Sequence, residues 1–236
     1  MDPALGYDRL AGSYQSIERL VFGNQLQRAR VALIDLLPVW QRLLILGDGD
    51  GRLLEQLYVN RCLCHPCPVP PRACAPRDRP WSVTSVDYSS AMLRRQQTRL
   101  ADTANHMAGR DVAQGTVEFV QCDALAYTPE AQAYDVVVTP FFLDCFSQAE
   151  LDARLPIWLS ALRPDGMVLH IDFVYPESRW QRPRAQILLW AMHTFFQWQT
   201  GLANRRLPDP ETILKRSGLC KAAEHISGRG MIAAQL

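Results

Sequence analysis

Residues 43 to 52 read LLILGDGDGR, an apolar run that ends in glycines spaced Gly47-x-Gly49-x-Gly51. Glycines at such spacing let a chain turn sharply and let a ligand approach the backbone. A helix that follows directly offers unpaired N–H groups to an anion or a carboxylate. An ordinary strand-to-helix turn carries such glycines too, so the turn alone does not decide. Asp87, in SVDYSS, stands at the end of the next β-type run. An acid there can accept both hydroxyls of a ribose. It lies 36 residues past Gly51, but 19 of those form a Pro/Cys-rich insert, residues 62 to 80. The 17 that remain approach the expected spacing of about 20. Cys122-Asp123-Ala124 follows VEFVQ, and TPFFLD, Thr139 to Asp144, follows YDVVV. Gly47, Asp87, Asp123 and Thr139 thus all fall at carboxyl ends of expected strands, the edge where open α/β sheets bind ligands.

The elements that must place these residues follow from periodicity. Short apolar runs at Arg42–Leu46, Ser82–Val86, Thr116–Gln121, Tyr134–Thr139 and Met167–Phe173 predict strands. Helices are expected at Arg52–Val59, at Ala91–Thr103 with a solvated Arg/Gln face, and at Ser147–Leu162, which opens on a Ser147/Glu150 capping box. Tyr7–Leu36 predicts one or two amphipathic helices, and Arg184–Thr200 an aromatic-rich helix. Asp209-Pro210 starts a further short helix, and short strands near Cys220–Ile226 and Met231–Gln235 follow. Strands alternating with helices predict a doubly wound, mostly parallel α/β sheet. One domain is expected over 1–236. It comprises a helical cap (1–40), a core (41–175) and a substrate-side helix with a terminal hairpin (176–236).

Composition limits the alternatives. Twenty-five Lys+Arg against 24 Asp+Glu give a net charge of +1. No basic stripe with interleaved aromatics points to nucleic acid. No basic start or long apolar run suggests a signal or a membrane span, although arginines around the aromatic helix leave peripheral membrane contact open. Seven cysteines, an odd number, fit a reducing compartment better than a disulfide framework, so a cytoplasmic location is expected. Cys62, Cys64, Cys67 and Cys74 match no common zinc spacing, so no metal is expected. A monomer or homodimer fits equally.

With these motifs in place, the sequence resembles the class I S-adenosylmethionine-dependent methyltransferases. LLILGDGDG is similar to that family's cofactor-binding glycine motif, VDYSSAML to its ribose-binding acid and following helix, and CDAL to its adenine cap. YDVVVTPFFLD resembles the strand and loop lining the transfer site, and LRPDGMVLHIDF the turn and strand after it. The ends, YDRLAGSY and HISGRGMIAAQL, resemble the ubiquinone/menaquinone C-methyltransferase group. The resemblance implies a Rossmann-like seven-stranded sheet whose last strand is antiparallel, with an N-terminal helical lid. It implies S-adenosyl-L-methionine as cofactor and S-adenosyl-L-homocysteine as product. It places Tyr14, Gly47, Asp48, Gly49, Gly51, Asp87, Tyr88, Met92, Cys122, Asp123, Ala124, Thr139 and Phe141 at the cofactor. The activity implied is methyl transfer to a small apolar or aromatic acceptor; a degenerate cofactor-binding module, or a non-methylating enzyme with the same pocket, is the alternative.

Asp144 is the first candidate for a general base, ahead of Tyr14, His170, Asp172 and His193; His170 also reads as a strand side chain with a hydrogen-bond partner. The family's acid two residues before the first glycine is replaced here by Ile45, and Asp48 or Asp50 could supply that carboxylate. A nicotinamide-dependent fold fits less well, because the last two glycines stand two residues apart and not three.

Overall fold

The computed structural model describes residues 22–62, 80–108, 115–176, 178, 180, 182–183, 185–189 and 207–236. Seven strands form one sheet: β1 (Arg42–Leu46), β2 (Trp81–Asp87), β3 (Gly115–Gln121), β4 (Tyr134–Pro140), β5 (Leu162–Phe173), β6 (Glu224–Ser227) and β7 (Ile232–Gln235). Their order is β3-β2-β1-β4-β5-β7-β6. The first five are mutually parallel, and β7 runs antiparallel between β5 and β6. The expected doubly wound sheet with an antiparallel last strand is present.

Helices cover both faces, as near-continuous apolar strands require. On one face lie α1 (Gln25–Val31) and α2 (Arg52–Cys62), whose Leu26, Leu53, Leu54 and Leu57 pack with Leu43, Ile45, Val136, Val138 and Leu169. On the other lie α4 (Gln148–Leu159) and α5 (Pro210–Arg216), with Leu151, Leu155, Trp158 and Ile213 against Leu44, Leu46 and Val137. The helix α3 (Ser90–His106) follows β2 and is N-capped by Ser89.

Most element boundaries stand within a few residues of expectation, and two depart for clear reasons. The helix expected to reach Leu162 stops at Leu159. The carbonyls of Ser160 and Ala161 accept N–H groups from Gln132, Ala133 and Tyr134, which draws this segment toward β4. Leu162 consequently opens β5, and the register slips by a bulge between its pairings with Tyr134 and Val136. The strand expected from Cys220 begins only at Glu224; before it, Ala223 exchanges backbone bonds with Leu236. Ser147 and Glu150 form the full capping box, and Asp209 caps α5 through the Thr212 N–H. No helix among the described residues is long and apolar enough to cross a membrane.

Candidate functional site

The carboxyl edge of the parallel strands gathers the candidate residues. After β1 the chain turns through Gly47 (φ +72°) and Gly49 (φ +62°). The Gly47 N–H donates to the Val86 carbonyl at 2.9 Å, tying the turn to β2. A Cβ on Gly47 would stand 2.3 Å from the Phe142 ring, so a side chain there is excluded by packing as well as by φ. A Cβ on Gly49 would meet nothing within 4 Å. That face of the turn is open, as a ligand-facing backbone must be.

The acids of the turn point inward. Asp48 is buried, and its carboxylate accepts the Leu53 N–H (3.2 Å) and Leu54 N–H (2.8 Å) at the start of α2. Burial pushes its carboxyl up to about 7, while those amides and the Arg30 charge pull the other way. Asp50, also buried, pairs with Arg52 at 2.8 Å and Arg99 at 3.3 Å. Ile45 is fully buried in the core. Both carboxylates that could have replaced the acid missing at Ile45 are thus engaged by the protein's own backbone and arginines.

Asp87, half-buried at the end of β2, reaches the turn directly. One oxygen accepts the Gly49 N–H at 3.2 Å and the other the Ser89 N–H at 3.0 Å. Gln96 was expected on the solvated face of its helix, but it is fully buried. Its amide donates to the Gly49 carbonyl (2.9 Å) and accepts from the Ser85 hydroxyl (2.7 Å). Arg99 donates to the Asp50 carbonyl at 3.0 Å. The spacing Met92, Leu93, Gln96, Arg99, Thr103 follows one helical face, a signal that could have placed Gln96 and Arg99 inward. Helix α3 therefore holds the glycine turn from outside.

Beside β2, the Cys122 N–H donates to the Asp87 carbonyl (3.1 Å), which sets the Cys122-Asp123-Ala124 segment against the acid. Asp123 is exposed, and its carboxylate accepts the Leu125 N–H. Ala124 is buried, and its carbonyl accepts the Trp158 indole N–H. Tyr88 is half-buried, and its carbonyl faces the Gln121 amide. Met92 is buried in the first turn of α3.

The ends of β4 and β5 form the other half. Thr139 is buried, with its hydroxyl 3.0 Å from Nδ1 of His170. Burial pulls the His170 imidazole down to about 4. Phe141 takes φ +53°, stacks near Phe173 (5.2 Å) and carries the Arg30 guanidinium 4.8 Å from its ring centre. Phe22 lies 5.3 Å from Phe173 on the same side. Asp144 and Asp172 are both buried, and the Asp144 N–H donates to Asp172 at 3.0 Å. Burial first, and the Asp144 charge second, push the Asp172 carboxyl well above its ordinary value; the Phe173, Asp144 and Leu143 amides oppose this. Asp172 was already a candidate base, whereas Arg30 carried no spacing signal, because it meets this edge only through tertiary packing.

Tyr14, His193, the Pro/Cys segment from residue 63 to 79 and most of the aromatic helix from residue 190 lie outside the described residues.

Residues 72–166 match a family model described as a methyltransferase domain. No curated protein sequence matches the chain. Among solved structures, the chain is similar to the mitomycin 7-O-methyltransferase MmcR, with 16% identity and a TM-score of 0.59 over 97% of this chain and 59% of that one. It is similar to DhpI in its SAM–HEP complex, with 18% identity and a TM-score of 0.57 over 97% and 92%. An O-methyltransferase family protein from Burkholderia thailandensis gives 15% identity and a TM-score of 0.55 over 97% and 57%. The chain spans under two thirds of the length of MmcR and of the Burkholderia protein. At these identities the likeness establishes the fold, a Rossmann-like sheet of the methyltransferase kind.

Proposed function

We propose that this chain transfers a methyl group from S-adenosyl-L-methionine to a small apolar or aromatic acceptor. The observation that carries the reading is the meeting of Asp87 with the Gly49 N–H below an open turn face. A nucleoside laid there has an acid for its ribose and a side-chain-free backbone for its tail, so the residues fit the cofactor's nucleoside half. The cofactor supplies an electrophilic sulfonium methyl and leaves as S-adenosyl-L-homocysteine. Asp87 accepts the ribose hydroxyls, and Cys122-Asp123-Ala124 with Tyr88 bounds the base. Tyr14 is assigned the cover of the site from the resemblance alone.

On the acceptor side Phe22, Phe141 and Phe173 offer an apolar wall. Such a wall excludes water and holds a flat acceptor in line, and alignment of this kind lowers barriers by about 7–11 kcal/mol. Asp144 is assigned as base for an acceptor that must lose a proton. Asp172 positions it through the 3.0 Å bond to its N–H, and burial together with the Asp144 charge raises the Asp172 carboxyl. Phenols and quinones, the class suggested by the resemblance of the chain's ends, are the first acceptors to try. The charge balance supports a small-molecule partner over nucleic acid, and four free cysteines among the described residues suit a reducing, cytoplasmic setting.

A second reading is favoured by one observation: Ile45 is apolar, and Asp48 and Asp50 are engaged inward. The cofactor's ammonium then lacks its customary acid, which suits a binding module without turnover. Calorimetric titration with S-adenosylmethionine and S-adenosylhomocysteine tests the pocket, with Asp87→Ala as the control. Wild-type binding that the mutant loses by tenfold or more supports both readings, and S-adenosylhomocysteine release with a phenolic acceptor decides for methyl transfer. Affinity unchanged in the mutant would place the pocket elsewhere.

A further inference from the structure

A cavity of about 220 Å³ lies between β5 from Asp165 to His170, the end of β7 and α5. Met167, Val168, Leu214 and Leu219 supply apolar walls, and His170 borders it as the buried polar group. The His170 ring uses Nδ1 for Thr139. Its Nε2 makes no hydrogen bond among the described residues, and His170 is one of the residues lining the cavity. A buried imidazole nitrogen normally finds a partner.

The rim is charged but balanced. Lys215 pairs with Glu211 at 2.8 Å and Lys221 with Glu224 at 2.6 Å, while Asp165 also borders the opening. The only two lysines of the chain stand here, and both are held by acids. Nothing in this rim selects an ion. The volume is below that of drug-sized pockets, which begin at about 300 Å³. A hydroxyl both donates and accepts, so it satisfies Nε2 in either tautomer.

We propose that this cavity binds a neutral, compact molecule with an apolar body and a hydroxyl that meets Nε2 of His170. The site adjoins the proposed cofactor edge through the His170–Thr139 bond, and it stands whether or not the chain transfers methyl groups.

The test is NMR of the His170 ring in the full chain during titration with p-cresol. Saturable shifts are expected in the millimolar range. Toluene, which lacks the hydroxyl, should bind about fivefold more weakly, the loss of one neutral hydrogen bond. Benzoate should bind more weakly as well. Leu214→Trp fills the cavity and should abolish saturation while the methyl signals of the β1–β4 core keep their positions. Where that variant does not fold, Ala222→Leu narrows the same space and should weaken binding. Shifts that stay linear to the solubility limit, or that persist unchanged in the filled variant, overturn the site. Benzoate binding as tight as p-cresol overturns its neutral character.

Discussion

The two halves of the carboxyl edge are built on opposite principles. At the ends of β1 and β2 every acid has a partner of the opposite sign or a backbone donor: Asp48 the amides of α2, Asp50 two arginines, Asp87 the glycine turn. At the ends of β4 and β5, two acids stand together: Asp172 accepts the Asp144 and Phe173 amides, Asp144 accepts the Cys145 thiol, and the Asp144 charge raises the Asp172 carboxyl. The first half is a fixed cradle whose polar groups are satisfied. The second keeps charge poised, and poised charge is what proton chemistry uses. On the proposed function, binding and reaction draw on separate parts of one sheet edge.

The contrast can be tested first at the glycines. Gly47→Ala forces a Cβ to 2.3 Å from Phe142 and a non-glycine residue to positive φ. Overpacking and left-handed strain together should lower stability by about 2–5 kcal/mol, read from urea midpoints. Gly49→Ala carries the strain alone, about 1–2 kcal/mol, yet it should cut cofactor affinity more deeply because it fills the open face. Equal stability losses in the two variants would erase the distinction between packed and ligand-facing glycines.

The buried titrating groups come next, with opposite signs. Asp48 takes a proton at about 7 when folded and at 3.8 otherwise. Between those values the folded chain holds a proton that the unfolded chain lacks, so this group's contribution falls as pH rises through the window. His170 is lowered from 6.5 to about 4, so the unfolded chain is the one that holds the extra proton. Its contribution is lost as pH falls from 6.5 toward 4. Relative to wild type, Asp48→Asn should gain at most about 3–4 kcal/mol from pH 4 to 7. His170→Gln should lose at most about 3 kcal/mol as pH rises from 4 to 6.5. Denaturant melts at several pH values check both, and slopes of the same sign in the two variants would refute the assignment.

A third pair of variants separates base from positioning residue. Asp144→Asn should lower turnover about 10²–10⁴-fold at unchanged cofactor affinity. Asp172→Asn keeps an acceptor for the Asp144 N–H while removing the like charge. It should lower turnover less and shift the acidic limb of the pH–rate profile downward. An unmoved profile would leave Asp172 a purely structural residue.

Much of this was legible along the chain. The glycine turn, Asp87 and the Ser147 and Asp209 caps are local devices, written in consecutive residues. Asp87 became visible once the insert was discounted, because parallel strands fix which residues reach the edge. Gln96 was half legible: its helical spacing pointed inward while its polarity suggested solvent, and two long-range hydrogen bonds decided the matter. The inward turn of Asp48 and Asp50 was not legible, since it depends on where α2 and Arg99 lie. The same holds for Asp172, which meets Asp144 across 28 residues of sequence.

The strand order has a consequence for how the chain is made. Among the described residues β6 pairs with β7 alone, and β7 covers the outer side of β5. During synthesis β5 emerges complete at Phe173, but its covering strand starts at Ile232. At about 5–20 residues per second, that edge waits roughly 3–12 s for its neighbour. Until then β5 offers unpaired backbone on that side to any passing chain. Slower translation between β5 and β7 would lengthen that interval.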